Sequence, residues 1–399
     1  MLSKELMTRP LIAGLLLSLL LISLPTSADA SSAQMDSISL SFPTSQIGYV
    51  LSLHECASKT CAALRSTHDA GAEWSDVPVP SQLNQSLTLA TWGTFPTGYQ
   101  ALSVHFADAT NGWIYGTVPA TPASGNWVSR LWSTHDGGKV WTQVHLGPTT
   151  LGGEVIQMAT HGNWTYLFGA SFETGRAYLL STHSDADQWR NRSKARVEVP
   201  AGGTQLEGAF TFAGSSGWFV GGNDRGFTAS ARLLPNGSWG AWNGPLVGRG
   251  SSSFTPIEAA TSRTLLLNGE SAGFGYPPAT SVPPGWNSGA SWLFISYNAG
   301  ASFKPLRRSS NACSCSTMPG SSATPVPGTI FLTSNSGDHL VRSTNWGRTW
   351  RVVLDHPVSQ FVFTNRTTGL ALVREGTSLA TYSLFRTIDA GGHWKKVNE

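Results

Sequence analysis

One octapeptide returns down the chain: Ser or Thr, any residue, Asp or Asn, any residue, Gly, two of any kind, then an aromatic. Thr67, Asp69, Gly71 and Trp74 frame the first copy, and Thr134, Asp136, Gly138 and Trp141 the second. Three more are framed by Ser296, Asn298, Gly300 and Phe303, by Ser343, Asn345, Gly347 and Trp350, and by Thr387, Asp389, Gly391 and Trp394. Two degraded copies, Thr182 to Trp189 and Leu234 to Trp242, lie between them. A unit that returns in this way stacks against its neighbours to bury its apolar face, so the repeat decides the architecture first.

The octapeptide has a physical job. A short Ser, Thr, Asp or Asn side chain accepts backbone N–H groups inside a tight turn and pins its shape. Gly takes the positive φ that other residues resist, and the aromatic drops into the packing layer. The closing aromatics stand at 74, 141, 189, 242, 303, 350 and 394. A four-stranded blade takes about 40–45 residues, and longer steps are insertions. Several units share a front half, with an apolar strand ending near Phe42, Phe106, Phe212 or Phe363. A Gly-led second stretch follows, such as Gly48-Tyr49, Gly112-Trp113, Gly217-Trp218 or Gly369-Leu370. No 3.6-residue apolar period is sustained, so helix should be minimal. The pattern predicts an all-β chain, a single seven-bladed β-propeller of four-stranded antiparallel blades, with six or eight blades as alternatives. The octapeptide is its turn between strands three and four. The first strand falls near Ile38 and the last near Glu399. Closure is therefore expected by packing of the first blade on the last, without a shared strand.

Charged residues make up only 12% of 399, and the formal charge is +3, too weak to argue for nucleic acid. Lys4 and Arg9, the apolar run Leu11 to Leu24 and Ala28-Asp29-Ala30 read as a signal peptide over residues 1–30. Residues 31–399 are then the exported domain, secreted or extracytoplasmic. The apolar run is short for a membrane span, and an uncleaved anchor is the alternative. Export permits disulfides. Cys56 and Cys61 read as a bridge across a loop, whereas Cys313 and Cys315 are too far apart on an extended strand for a mutual bond. Four cysteines allow three connectivities.

The octapeptide resembles the Asp-box, or bacterial neuraminidase repeat, of sialidases, sortilin-type receptors, xyloglucanases and photosystem II assembly-factor propellers. The resemblance implies that Thr67, Asp69, Gly71, Trp74 and their counterparts are structural, on a rim far from any site. It covers essentially the whole chain after residue 30. The style is nearest to the assembly-factor propellers, which pair a Gly-aromatic second strand with an Asp-Gly-Gly-Lys-x-Trp turn, as Gly112-Trp113 and Asp136 to Trp141 do here. Those proteins bind and do not catalyse. Sialidases need an Arg trio, and Arg65 is the only Arg between Ser31 and Pro80.

Functional residues should therefore sit on the opposite face. The long insertions assigned there are Pro80 to Gln100, Val118 to Trp127, Glu270 to Ser291 and Lys304 to Gly328. Trp92, Phe95, Tyr99, Trp127, Phe274, Tyr276 and Trp286 in them could stack sugars or grip a peptide, or could simply pack their own loops. Glu154, Glu207 and Glu258 are expected at the entrances to three successive innermost strands, with Gln100 and Gln360 at similar places. Together they would form a partial acidic ring at a channel mouth, or ordinary strand-end polar groups. His68, His135 and His183 belong to the repeat. No metal-ligand spacing, nucleophile elbow or phosphate-binding loop is present. Sequons begin at Asn84, Asn163, Asn191, Asn236 and Asn365. The expectation is a non-catalytic module binding a protein or glycan partner without a cofactor, metal or nucleic acid. The alternative is a glycan-active hydrolase or lyase using the channel carboxylates.

Overall fold

The structure, a computed structural model, describes residues 36–56, 59–84, 102–119, 127–146, 154–171, 176–193, 206–223, 226–242, 252–271, 291–305, 322–333, 339–375 and 381–397. The chain divides into Met1–Ala33 and Gln34–Glu399. The proposed signal segment lies outside the described residues. The second unit holds seven antiparallel sheets, each of four consecutive strands. They span residues 36–77, 103–143, 154–191, 206–241, 252–305, 322–354 and 358–396, and are called sheets 1 to 7. A short 3-10 turn, Ser81–Asn84, follows sheet 1.

Every full octapeptide, and the degraded copy Thr182 to Trp189, is the turn between the third and fourth strands of its sheet; the degraded copy Leu234 to Trp242 takes in that turn and the fourth strand, Trp239–Ala241, as well. The hydroxyl of Thr67 donates to Asp69 Oδ1 at 2.7 Å and accepts the Gly71 N–H at 2.9 Å. Asp69 Oδ1 also accepts the Ala72 and Glu73 N–H groups. The same bonds return around Thr134, Ser296, Ser343 and Thr387. Two consecutive residues in each turn hold positive φ, and the first of them is Ala70, Gly137, Ala299, Trp346 or Ala390. This is the unexpected part, since only the second was legible as Gly. The N–H of that first residue donates to the hairpin loop joining strands one and two of its own sheet, at Gln46, Thr110, Arg263, Gly328 and Thr367 carbonyls. The left-handed turn is thus fastened to its neighbouring hairpin, and both lie at one end of the sheet.

The core is partitioned. Seven apolar clusters each join two sheets that are neighbours in sequence or, in one case, the two ends of the domain. Leu51, Leu64, Phe106 and Ile114 join sheets 1 and 2. Trp113, Tyr115, Val155 and Leu167 join sheets 2 and 3, and Tyr166, Phe168, Phe219 and Trp239 join sheets 3 and 4. The series continues through Trp218 and Leu267, Leu266 and Ile330, and Phe331 and Phe361. It ends with Leu40 and Val50 of sheet 1 packed on Leu370, Leu372 and Leu384 of sheet 7. Each sheet is too small to stand alone, and each buries both faces against neighbours.

Ring closure uses the same contacts. Octapeptide glycines press on the preceding sheet: a Cβ on Gly300 would lie 2.6 Å from Trp242, and one on Gly391 would lie 2.6 Å from Phe331. Gly71 of sheet 1 presses on Leu370 of sheet 7 in the same manner. Gln360 in the first strand of sheet 7 adds a clasp. Its Oε1 accepts the Leu40 N–H at 3.0 Å and its Nε2 donates to the Leu40 carbonyl at 3.3 Å. Gln360, near the entrance to the first strand of sheet 7, thus spends its amide on neighbouring backbone, as a strand-end polar group does. Among the described residues, no strand is shared between sheets 1 and 7.

Candidate binding face

Strand polarity sorts the loops. Octapeptide turns and the hairpins between strands one and two gather at one end of every sheet. In a four-stranded meander the hairpins between strands two and three, and all connections between sheets, must then leave from the other end. Residues 85–101, 120–126 and 272–290 depart there, from sheet 1, from strand two of sheet 2 and from strand two of sheet 5. The fourth assigned insertion needs correction. Lys304–Pro305 is the last strand of sheet 5, Ser322–Ala323 is the first strand of sheet 6, and residues 324–329 form a hairpin loop at the octapeptide end. The short runs around Pro305 and Ser322 carried no alternation to betray two-residue strands.

Trp127 opens the third strand of sheet 2 opposite Pro119, at the insertion-bearing end. Trp92, Tyr99, Tyr276 and Trp286 lie outside the described residues, as do Phe95, Phe274, Gln100, Cys313 and Cys315. Cys56 and Cys61 lie on strands two and three of sheet 1, where Cys61 faces His54 and Cys56 faces Lys59. Both belong to the hairpin at this same end, and no cysteine among the described residues is free.

The three glutamates do not form one ring. Glu154 is the first residue of Glu154–His161, and Glu207 is the second of Leu206–Ala213. These innermost strands belong to adjacent sheets and touch, so the two positions share one end. Glu258 is the seventh residue of Ser252–Ala259 and pairs with Leu266 beside the hairpin at the octapeptide end. A strand starting six residues earlier than its partners' alignment suggested moves Glu258 to the opposite end. Among the described residues, no group of three or more His, Cys, Asp or Glu could hold a metal.

The titratable groups that are shifted serve the frame. Burial pushes His105 down to about 4, and its Nε2 lies 2.8 Å from Thr160 Oγ1. Burial, helped by Asp108, pushes Tyr49 up to about 12, and its hydroxyl donates to the Ala109 carbonyl of the next sheet at 2.8 Å. Tyr49, Trp113 and Trp218 all follow a Gly at the start of strand two, and all donate to the following sheet. Trp113 Nε1 reaches Asp187 Oδ1 at 3.0 Å, and Trp218 Nε1 reaches the Ala299 carbonyl at 3.2 Å. Asp187 also accepts from Ser133 Oγ at 2.6 Å and faces His135 Nε2 at 3.1 Å. His135 thus ties two sheets together besides belonging to the repeat. The signal available in sequence was an acid at an unusual place in a degraded octapeptide.

By sequence, no family and no characterised protein matches the chain. By structure, "YCF48 bound to D1 peptide" matches with a TM-score of 0.53 at 16% identity, over 90% of this chain and 94% of that one. The fold is a β-propeller. The propeller domain of the Trilobed protease from Pyrococcus furiosus, described as having an open velcro topology, matches with a TM-score of 0.52 at 9% identity, over 92% and 96%. A polysaccharide lyase, PL25 ulvan lyase, matches with a TM-score of 0.52 at 10% identity, over 90% and 95%.

Proposed function

We propose that this chain is an exported, non-catalytic propeller whose seven sheets are seven blades and whose insertion-bearing end binds a protein or glycan partner. One observation carries the reading. The octapeptide turns consume their own Ser, Thr, Asp and Asn oxygens on backbone N–H groups, whereas residues 85–101, 120–126 and 272–290 depart from the other end. Variable loops on a rigid frame are where recognition resides. The octapeptides then stand as Asp-boxes, and Cys56 pairs with Cys61 to staple one hairpin of the binding end. A propeller solved with a peptide and one that cleaves a polysaccharide share this frame, which agrees with either class of partner.

The test is a peptide and glycan array probed with the exported protein. Binding should fall at least tenfold, with the melting temperature little changed, when residues 272–290 are replaced by a short Gly-Ser linker. One observation favours a hydrolase or lyase instead: Glu154 and Glu207 begin adjacent innermost strands at the same end. Activity on a glycoside panel that Glu207→Gln abolishes would overturn the binding-module reading.

A further inference from the structure

The octapeptide end is not electrically uniform. Its turns in sheets 1 to 3 carry Asp69, Glu73, Asp108, Asp136, Asp185 and Asp187. In sheets 5 and 6 the octapeptide Asp is replaced by Asn298 and Asn345, and the turn is unchanged. Asn298 Oδ1 accepts the Ser302 N–H at 2.9 Å, and Asn345 Oδ1 accepts the Thr349 N–H at 2.9 Å. Structure therefore leaves the choice between acid and amide open, and these two sheets have taken the amide.

What surrounds the two amides is basic and aromatic. Arg263, in the hairpin loop of sheet 5, accepts the Ala299 N–H through its carbonyl, which sets it beside the Tyr297 turn. Tyr297 is 53% exposed, and its ring meets Trp346 of sheet 6 at 6.4 Å and 72°. Arg348 follows two residues later, and Lys304 and Arg351 open the adjoining fourth strands. Arg263, Lys304, Arg348 and Arg351 are exposed. No Asp or Glu stands in residues 260–264, 296–305, 324–329 or 343–351; Glu258, two positions before the first of these stretches, stands at this same end on the innermost strand of sheet 5. Trp346 holds φ +58° at a position that is Ala in three other copies and Gly in one. A bulky residue in the left-handed region is a strained choice that asks for a reason.

We infer that the octapeptide rim at the junction of sheets 5 and 6 is a second recognition surface, for an anionic polysaccharide bearing uronate or sulfate groups. Guanidinium groups that form no ion pair among the described residues suit sugar carboxylates or sulfates, and a half-exposed Tyr–Trp pair suits the apolar faces of sugar rings. A lipid surface fits less well, because Trp346 is packed against the cluster of Leu266, Ile330 and Val341 and is not free to insert. A second copy fits less well too. Of the carboxylates it would offer, Asp69 and Asp136 already spend Oδ1 on backbone N–H groups of their own turns. This surface lies at the opposite end from the loops of the proposed partner site, so either can fail without the other.

Full-length exported protein should be titrated with polygalacturonate, with neutral dextran, poly-glutamate and phosphatidylcholine vesicles containing phosphatidylglycerol as comparisons. Polygalacturonate should be retained more tightly than all three. The double variant Arg263→Gln, Arg348→Gln should weaken that retention at least about tenfold, two charge-assisted contacts being lost. Trp346→Ala should also weaken it and should fold, since Ala299 and Ala390 hold the same backbone conformation. Replacement of residues 272–290 should leave it unchanged. The inference is overturned if polygalacturonate is not retained, if the double Arg variant retains it equally, or if poly-glutamate or the vesicles bind as tightly.

Discussion

At the scale of single residues, the recurring pair of a strand-one Phe and a strand-two Gly has a steric cause. The Phe212 ring lies 2.7 Å from where a Cβ on Gly217 would stand, and Phe363 lies 2.9 Å from that of Gly369. The Phe42 and Phe106 rings cover Gly48 and Gly112 still more closely. Phe42, Phe106 and Phe363 in turn meet the closing Trp of their own octapeptide edge-on, at 6.3, 6.2 and 6.1 Å. Gly112→Ala should therefore cost about 1–3 kcal/mol by overpacking, read as a lower denaturant midpoint, and Phe106→Leu should recover part of the loss. The octapeptide acids give a second prediction. The Glu73 N–H holds the Asp69 carboxyl below its usual range, the Val140 N–H does so for Asp136, and the His393 N–H for Asp389. Groups whose folded value is depressed contribute stability above the unfolded value of about 4, and lose it as pH falls through the folded value. The triple variant with Asn at 69, 136 and 389 should match the parent's melting temperature at neutral pH, because Asn298 and Asn345 make the same bonds. Its melting temperature should fall less steeply than the parent's below about pH 4.

At the scale of elements, the second strands of sheets 1, 2 and 4 are bolted to the sheet that follows. Asp187 is the most heavily used bolt, gathering Trp113, Ser133 and His135 of sheet 2. His135 Nδ1 lies 2.8 Å from Asn111 Oδ1, so the tie continues into the hairpin loop of its own sheet. Asp187→Ala would strand these donors, Trp113 being fully buried, and should cost about 2–4 kcal/mol. Asp187→Asn should cost less, since it keeps an acceptor for the indole. Hydrogen exchange should speed up first in the strands of sheets 2 and 3.

For the whole molecule, closure depends on packing between the chain's two ends. The junction of sheets 1 and 7 has an apolar cluster like the other six, with Gln360 clasping the Leu40 backbone from both sides. Gln360→Ala should cost about 1–3 kcal/mol by orphaning the buried Leu40 N–H. Amide exchange in residues 36–53 and 358–375 should accelerate well ahead of that in sheets 3 and 4. Uniform acceleration across all sheets would show that this junction opens no more readily than the others.

The sequence alone determined the all-β class, the octapeptide as the turn between strands three and four, and the end of each sheet at which variable segments leave. These follow from local chemistry: a hydroxyl, an acid or amide and a Gly shape one tight turn wherever they occur. Tertiary structure alone decided which residues act across a junction. That Gly71 seats Leu370, that Trp113 finds Asp187, and that Tyr297 meets Trp346 depend on neighbours 299, 74 and 49 positions away, and no local pattern encodes such distances. The displacement of Glu258 has the same origin. Its place along the strand is set by pairing with Leu266, a register that tertiary packing fixes and side-chain type does not.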